Sequence, residues 1–236
     1  MSTRNTKGFT LVEMLVVIAI IGILAGSLFK PIQSAINNAK ATALQSSGRS
    51  IWLAIVSANS QRETRNKSPL WPADLAEDDD SGKPQTSLAY FNYLLSDGET
   101  KTTITADSEL RVVSDLAPDS LIANGVVAAK PGSELKAQNL AWGVVKVGDA
   151  TPARVPYLIS RNYNKSDSLK QKESDDTTRL ELDSTAKPFG NSYAVWVTRG
   201  GSTGSAPRKD FTMSELMGLG PEDVDYEYWP TKASQE

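Results

Sequence analysis

Residues 9–29 read FTLVEMLVVIAIIGILAGSLF, from Phe9 to Phe29, and this stretch decides the fold. Its only charge is Glu13, and Met14 to Phe29 runs uncharged throughout. As a helix rising ~1.5 Å per residue it is about 31 Å long, close to the hydrocarbon thickness of a bilayer. The eight residues before it, MSTRNTKG, are polar and carry Arg4 and Lys7 with no acid. Basic residues on the short flank keep that side cytoplasmic, so the rest of the chain is expected outside. A secretory signal peptide has a shorter apolar core and ends in a small-x-small cleavage site, whereas this run continues into Lys30-Pro31. A plain anchor fits the length but leaves Glu13 unexplained. An acid inside a span costs a few kcal/mol and marks function by default. The other reading of Glu13 is an acid at a frayed helix start that reaches the headgroups.

Gly8-Phe9-Thr10-Leu11-Val12-Glu13, followed by the apolar run through Ala25, resembles the class III signal segment of type IV pilins and type II secretion pseudopilins. The resemblance covers roughly the first 30 residues. It implies cleavage between Gly8 and Phe9 by a membrane prepilin peptidase and N-methylation of Phe9 by the same enzyme. It implies assembly at an inner-membrane platform into a homo-oligomeric or mixed pilin filament cored by bundled N-terminal helices, with lipid around the helix before assembly. Pro31 falls where such helices often carry a kinking proline. The residues agree with this. Gly8 has no side chain, which suits an extended peptide in a narrow protease site. Cleavage removes Arg4 and Lys7, takes the formal charge from −3 to near −5, and frees an amine at Phe9. That amine on a neighbouring subunit is a natural partner for Glu13. Burying the two charges as a pair recovers much of the cost of burying either alone.

Outward from the span, Ile32, Ala35, Ile36, Ala39, Ala43, Leu44, Ile51, Ile55 and Val56 recur at helical spacing. One broken helix is therefore expected from Phe9 to about Arg62, with Gly48 a weak point and Pro69 and Pro72 beyond its end. The expected organisation is a leader over 1–8, a membrane or filament-core helix over 9–29, an amphipathic continuation over 30–62, and an exported β-rich domain over 63–236. Ser87–Leu95 and Asp210–Leu219 read as short helices. Glu109–Val113, Gly125–Ala129, Leu140–Val147, Val155–Ser160 and Asn191–Thr198 read as strands. Asn164–Asp183 and Gly200–Lys209 read as loops. The fold class is α+β, a pilin-like long helix packed on an antiparallel sheet.

Among 236 residues there is no His and no Cys. This excludes Ser-His-Asp and Cys-His catalysis, Cys/His zinc sites and disulfides. Net charge −3 speaks against a nucleic-acid partner. Asp74, Glu77, Asp78, Asp79 and Asp80 form an acidic cluster, with Asp78, Asp79 and Asp80 the candidate calcium ligands; a solvated acidic loop is the alternative. Glu222, Asp223, Asp225 and Glu227 lie beside Tyr226, Tyr228 and Trp229, either a contact surface or a tail pinned by its aromatics. No phosphate loop occurs, and no carboxylate pair stands out for catalysis. The expected function is a non-enzymatic structural subunit, without a cofactor unless calcium binds. It would belong to a type II secretion pseudopilus or a type IV pilus-like fibre. The absence of Cys leans toward a pseudopilin. The alternatives are a minor tip subunit acting in adhesion or in DNA or ligand binding, and a single-pass membrane-anchored exported enzyme.

Overall fold

The computed structural model describes residues 9–75, 84–98, 104, 105, 107–123, 125–130, 132–163, 168–171, 179–218 and 224–231. Helix α1 runs unbroken over Leu11–Glu63 with Pro31 inside it. The chain divides into two units, Met1–Ala39 and Lys40–Glu236. The last turns of α1 therefore belong with the sheet domain rather than preceding it.

In the second unit six strands form one antiparallel sheet: β1 (Trp142–Val145), β2 (Pro156–Ser160), β3 (Ser168–Gln171), β4 (Tyr193–Thr198), β5 (Thr203–Pro207) and β6 (Val224–Trp229). Their order is β3-β6-β1-β2-β4-β5. Val144 pairs with Leu158 and Leu158 with Val197, so these share one face. Gly143, Ile159 and Trp196 line up on the other, because successive strand residues alternate.

The first face takes α1. The helix buries Ala41, Leu44, Gly48, Ile51 and Ile55, a three-four repeat that makes one stripe. Of the residues expected on this stripe, Ile32, Ala35, Ile36, Ala39, Ala43 and Val56 are exposed instead. The burying register starts at Ala41. Gly48 is the point of closest approach. A Cβ there would stand 2.5 Å from Val197 Cγ2 and 2.8 Å from Trp142 Cζ2. The residue expected to weaken the helix is the one that lets it meet the sheet.

Helix α2 (Ser87–Leu95) starts on Thr86, whose side chain accepts from the Ala89 amide at 3.1 Å. Ser87 Oγ donates to the Trp229 carbonyl and accepts from the Val144 amide, which ties α2 to the sheet. A bulge between Pro156 and Leu158 accompanies the contact of Tyr157 with Tyr90 and Trp71. On the opposite face, Trp196 packs on Phe211, Phe211 on Tyr163, and Tyr163 on Tyr228. Phe211 leads into α3 (Met213–Met217), capped by Thr212 and stopped at Gly218 with φ 69°.

Several expectations are corrected. Glu109–Val113 is not a strand. Asp107 accepts from the Glu109 amide and starts a short 3-10 turn over Ser108–Leu110, and the segment beyond it bonds the Val113 amide to Leu94 O. Gly125–Ala129 is irregular, with Gly125 at φ 86°. In the other direction, β3, β5 and β6 lie where loops or a tail were expected. Each is polar or small on at least one side and is held by its ladder partners.

Candidate functional site

The site starts at Phe9 and lies at the head of α1. Phe9 is exposed and precedes the helix. Thr10 is the N-cap. Its hydroxyl accepts from the Glu13 amide at 3.2 Å and donates to Glu13 Oε2 at 2.8 Å. The Thr10 amide donates to the same Oε2 at 2.7 Å. This is a reciprocal capping box, which satisfies amides that no helical carbonyl can reach. The positive end of the helix dipole favours a carboxylate there. Glu13 is thus held one turn from the Phe9 end.

Glu13 stands out in the sequence by its charge, whereas the role of Thr10 emerges from these contacts. The signal was present as Thr-x-x-Glu ahead of an apolar run. Gly8, the other half of the expected cleavage site, lies outside the described residues. Downstream, none of the most apolar 18-residue window of α1 is buried. Leu11, Ile18, Ile23 and Phe29 are among its exposed side chains. An apolar surface of this extent in a helix long enough to cross a bilayer fits a membrane-anchoring segment. Pro31 sits within the continuous helix. It has no N–H for the Ser27 carbonyl, and Ser27 Oγ back-bonds to Leu24 O at 2.8 Å.

The other candidates separate. Asp78, Asp79 and Asp80 lie outside the described residues, and among the described residues no group of three or more acids forms a metal cluster. Gly200-Gly201 is the β4–β5 turn, with Gly201 at φ 81° against the Trp52 ring. Of the nearby cations, Arg199 pairs with Asp149 and lies over Trp71, and Lys209 pairs with Asp210. Glu227 receives Lys146 Nζ at 2.8 Å and Trp229 Nε1 at 2.7 Å. These two bonds to the charged form hold its carboxyl below the usual range. Tyr226, Tyr228 and Trp229 belong to β6, so the aromatics serve the sheet.

No curated protein and no solved structure matches the chain. Residues 3–29 match the family described as the prokaryotic N-terminal methylation motif. That match takes in residues 3–8, the capping box and the exposed apolar stretch of the helix together. Over residues 3–29 the chain thus carries the prokaryotic N-terminal methylation motif, a segment similar to the prepilin-type signal of type IV pilins and pseudopilins.

Proposed function

We propose that the chain is a structural fibre subunit. A prepilin peptidase cuts it between Gly8 and Phe9 and methylates the new amine. The mature chain waits in the inner membrane with its large unit exported, then joins a type II secretion pseudopilus or a type IV pilus-like fibre. The observation that supports this best is the methylation motif placed ahead of an apolar helix surface that the fold leaves uncovered. Lipid covers that surface before assembly, and neighbouring helices cover it afterwards. Glu13 gives the incoming subunit its register by pairing with the Phe9 amine of its neighbour. Methylation keeps the amine charged, so the pair survives it. In this reading the chain performs no catalysis and needs no cofactor.

The test is expression of the full chain with an active prepilin peptidase, followed by intact mass and N-terminal sequencing. The expected product starts at N-methyl-Phe9. A chain that keeps Met1–Gly8 while a control substrate is cut overturns the proposal.

A further inference from the structure

Beyond the processing segment, the second unit carries a cavity of about 400 Å³ beside the C-terminal turns of α1. Arg62, Arg65, Lys67 and Arg111 line it, together with Asp97 and Asp115. The helix lines it with Ala54, Ala58, Gln61 and Arg62, and the two alanines leave space on its floor. Among the described residues none of the four cations reaches ion-pair distance from a carboxylate. Asp115 accepts instead from Ser57 Oγ at 3.2 Å.

Basic residues at a helix C-terminus are ordinary, because they complement the dipole. That accounts for Arg62 and leaves Arg111 unexplained, since Arg111 comes from a separate segment. Arg111 is half-buried and held in place by carbonyls. Its Nε donates to Thr105 O at 2.9 Å and its Nη1 to Leu116 O at 3.2 Å. Arg62 is fixed likewise, with Nε on Ser68 O at 2.7 Å. Two guanidiniums are therefore positioned by neutral acceptors, with no carboxylate at ion-pair distance among the described residues. In a chain of net charge −3, four cations against the two carboxylates Asp97 and Asp115 leave the described lining of this concavity net positive.

We infer that this cavity binds a phosphate group. Guanidinium forks match phosphate oxygens in paired, charge-assisted hydrogen bonds, and a flexible ammonium adds a point charge. The phosphate is carried either by a small soluble ligand or by a lipid headgroup. The test titrates the full chain in nonionic detergent by calorimetry, with potassium phosphate in one arm and dihexanoyl phosphatidylglycerol in the other. Ionic strength is held constant with potassium chloride. One saturable site is expected. Tighter binding of the lipid assigns the phosphate to a headgroup, and equal or weaker binding assigns it to a soluble ligand. Arg111→Gln should abolish binding. Because that variant also loses two internal hydrogen bonds, the exposed pair Arg65→Gln/Lys67→Gln is measured beside it and should weaken binding about tenfold or more. Heats no different from chloride at matched ionic strength overturn the inference. So does undiminished binding by the folded double variant.

Discussion

Replacing Gly48 sets two known effects against each other at one position. In an open helix, Gly→Ala stabilises by ~1 kcal/mol, because alanine loses less backbone entropy. At Gly48 the new methyl group would stand 2.5 Å from Val197 Cγ2, 2.8 Å from Trp142 Cζ2 and 2.9 Å from Trp142 Cη2. Ordinary carbon contacts lie at ~3.5–4.0 Å, so helix and sheet must part by about 1 Å. Neither neighbour can turn aside, since Val197 and Trp142 are both fully buried. Overpacking a close-packed core costs ~1–3 kcal/mol. The clash should exceed the propensity gain, leaving Gly48→Ala destabilised by roughly 1 kcal/mol, with Gly48→Val worse by ~2 kcal/mol more. The assay is thermal unfolding of the full chain in detergent, followed by tryptophan fluorescence. For a domain of this size 1 kcal/mol lowers Tm by ~2–4 °C. Gly22→Ala is the control. Its Cβ would meet nothing within 4 Å, so the transition should not fall. A Gly48→Ala chain that melts higher than the parent would refute the packing argument.

Thr10→Val should remove the N-cap while leaving Glu13 in place, speeding amide exchange over the first turn of α1; Thr10→Ser should restore protection, and equal exchange in both would sink the capping role. Glu13→Ala should leave cleavage at Gly8–Phe9 intact and cut fibre yield, read by shearing and immunoblot; normal yield would remove the pairing role of Glu13. Tyr90 and Tyr157 hydroxyls lie 2.9 Å apart, and Tyr90 Oη also lies 2.9 Å from Leu70 O. Tyr90→Phe strips the partner from two buried groups and should cost ~1–3 kcal/mol in urea unfolding. Tyr157→Phe leaves Tyr90 bonded to Leu70 O and should cost clearly less; equal losses would contradict the network. Burial raises the phenol pKa of Tyr90, Tyr157 and Tyr228, and pushes Tyr163 up to about 12. The folded state therefore holds its protons where the unfolded chain releases them. Stability should be unaffected by these groups below about pH 10 and fall as pH rises beyond it, the Tyr163 share being lost by about pH 12. Phenolate absorbance from the four should appear together with unfolding; early titration of all seven tyrosines in a folded chain would contradict their burial.

The N-terminal segment was legible because everything that defines it is local. Gly8, Phe9, Glu13 and the run to Phe29 are neighbours in the chain, and a span is a matter of consecutive apolar length. The same holds for α2 and for β1, β2 and β4, whose apolar and aromatic runs announce them. Even the Thr10–Glu13 capping box was available as a three-residue spacing. Tertiary structure alone decided the rest. Thr203–Pro207 and Ser168–Gln171 have little strand character of their own and are held as strands by pairing with β4 and β6. Nothing in residues 40–60 says whether Ala41 or Ala43 faces inward, because both fit a helical period. The sheet selects Ala41, and it does so through Gly48, where a missing side chain makes room for Trp142 and Val197. The basic cavity is equally non-local. Arg111 lies more than forty residues from Lys67, and only the packing of its segment beside the end of α1 brings their charges to one place. Local pattern identifies segments whose chemistry is carried by consecutive residues; close approach between distant residues depends on shapes that exist only once the chain has packed.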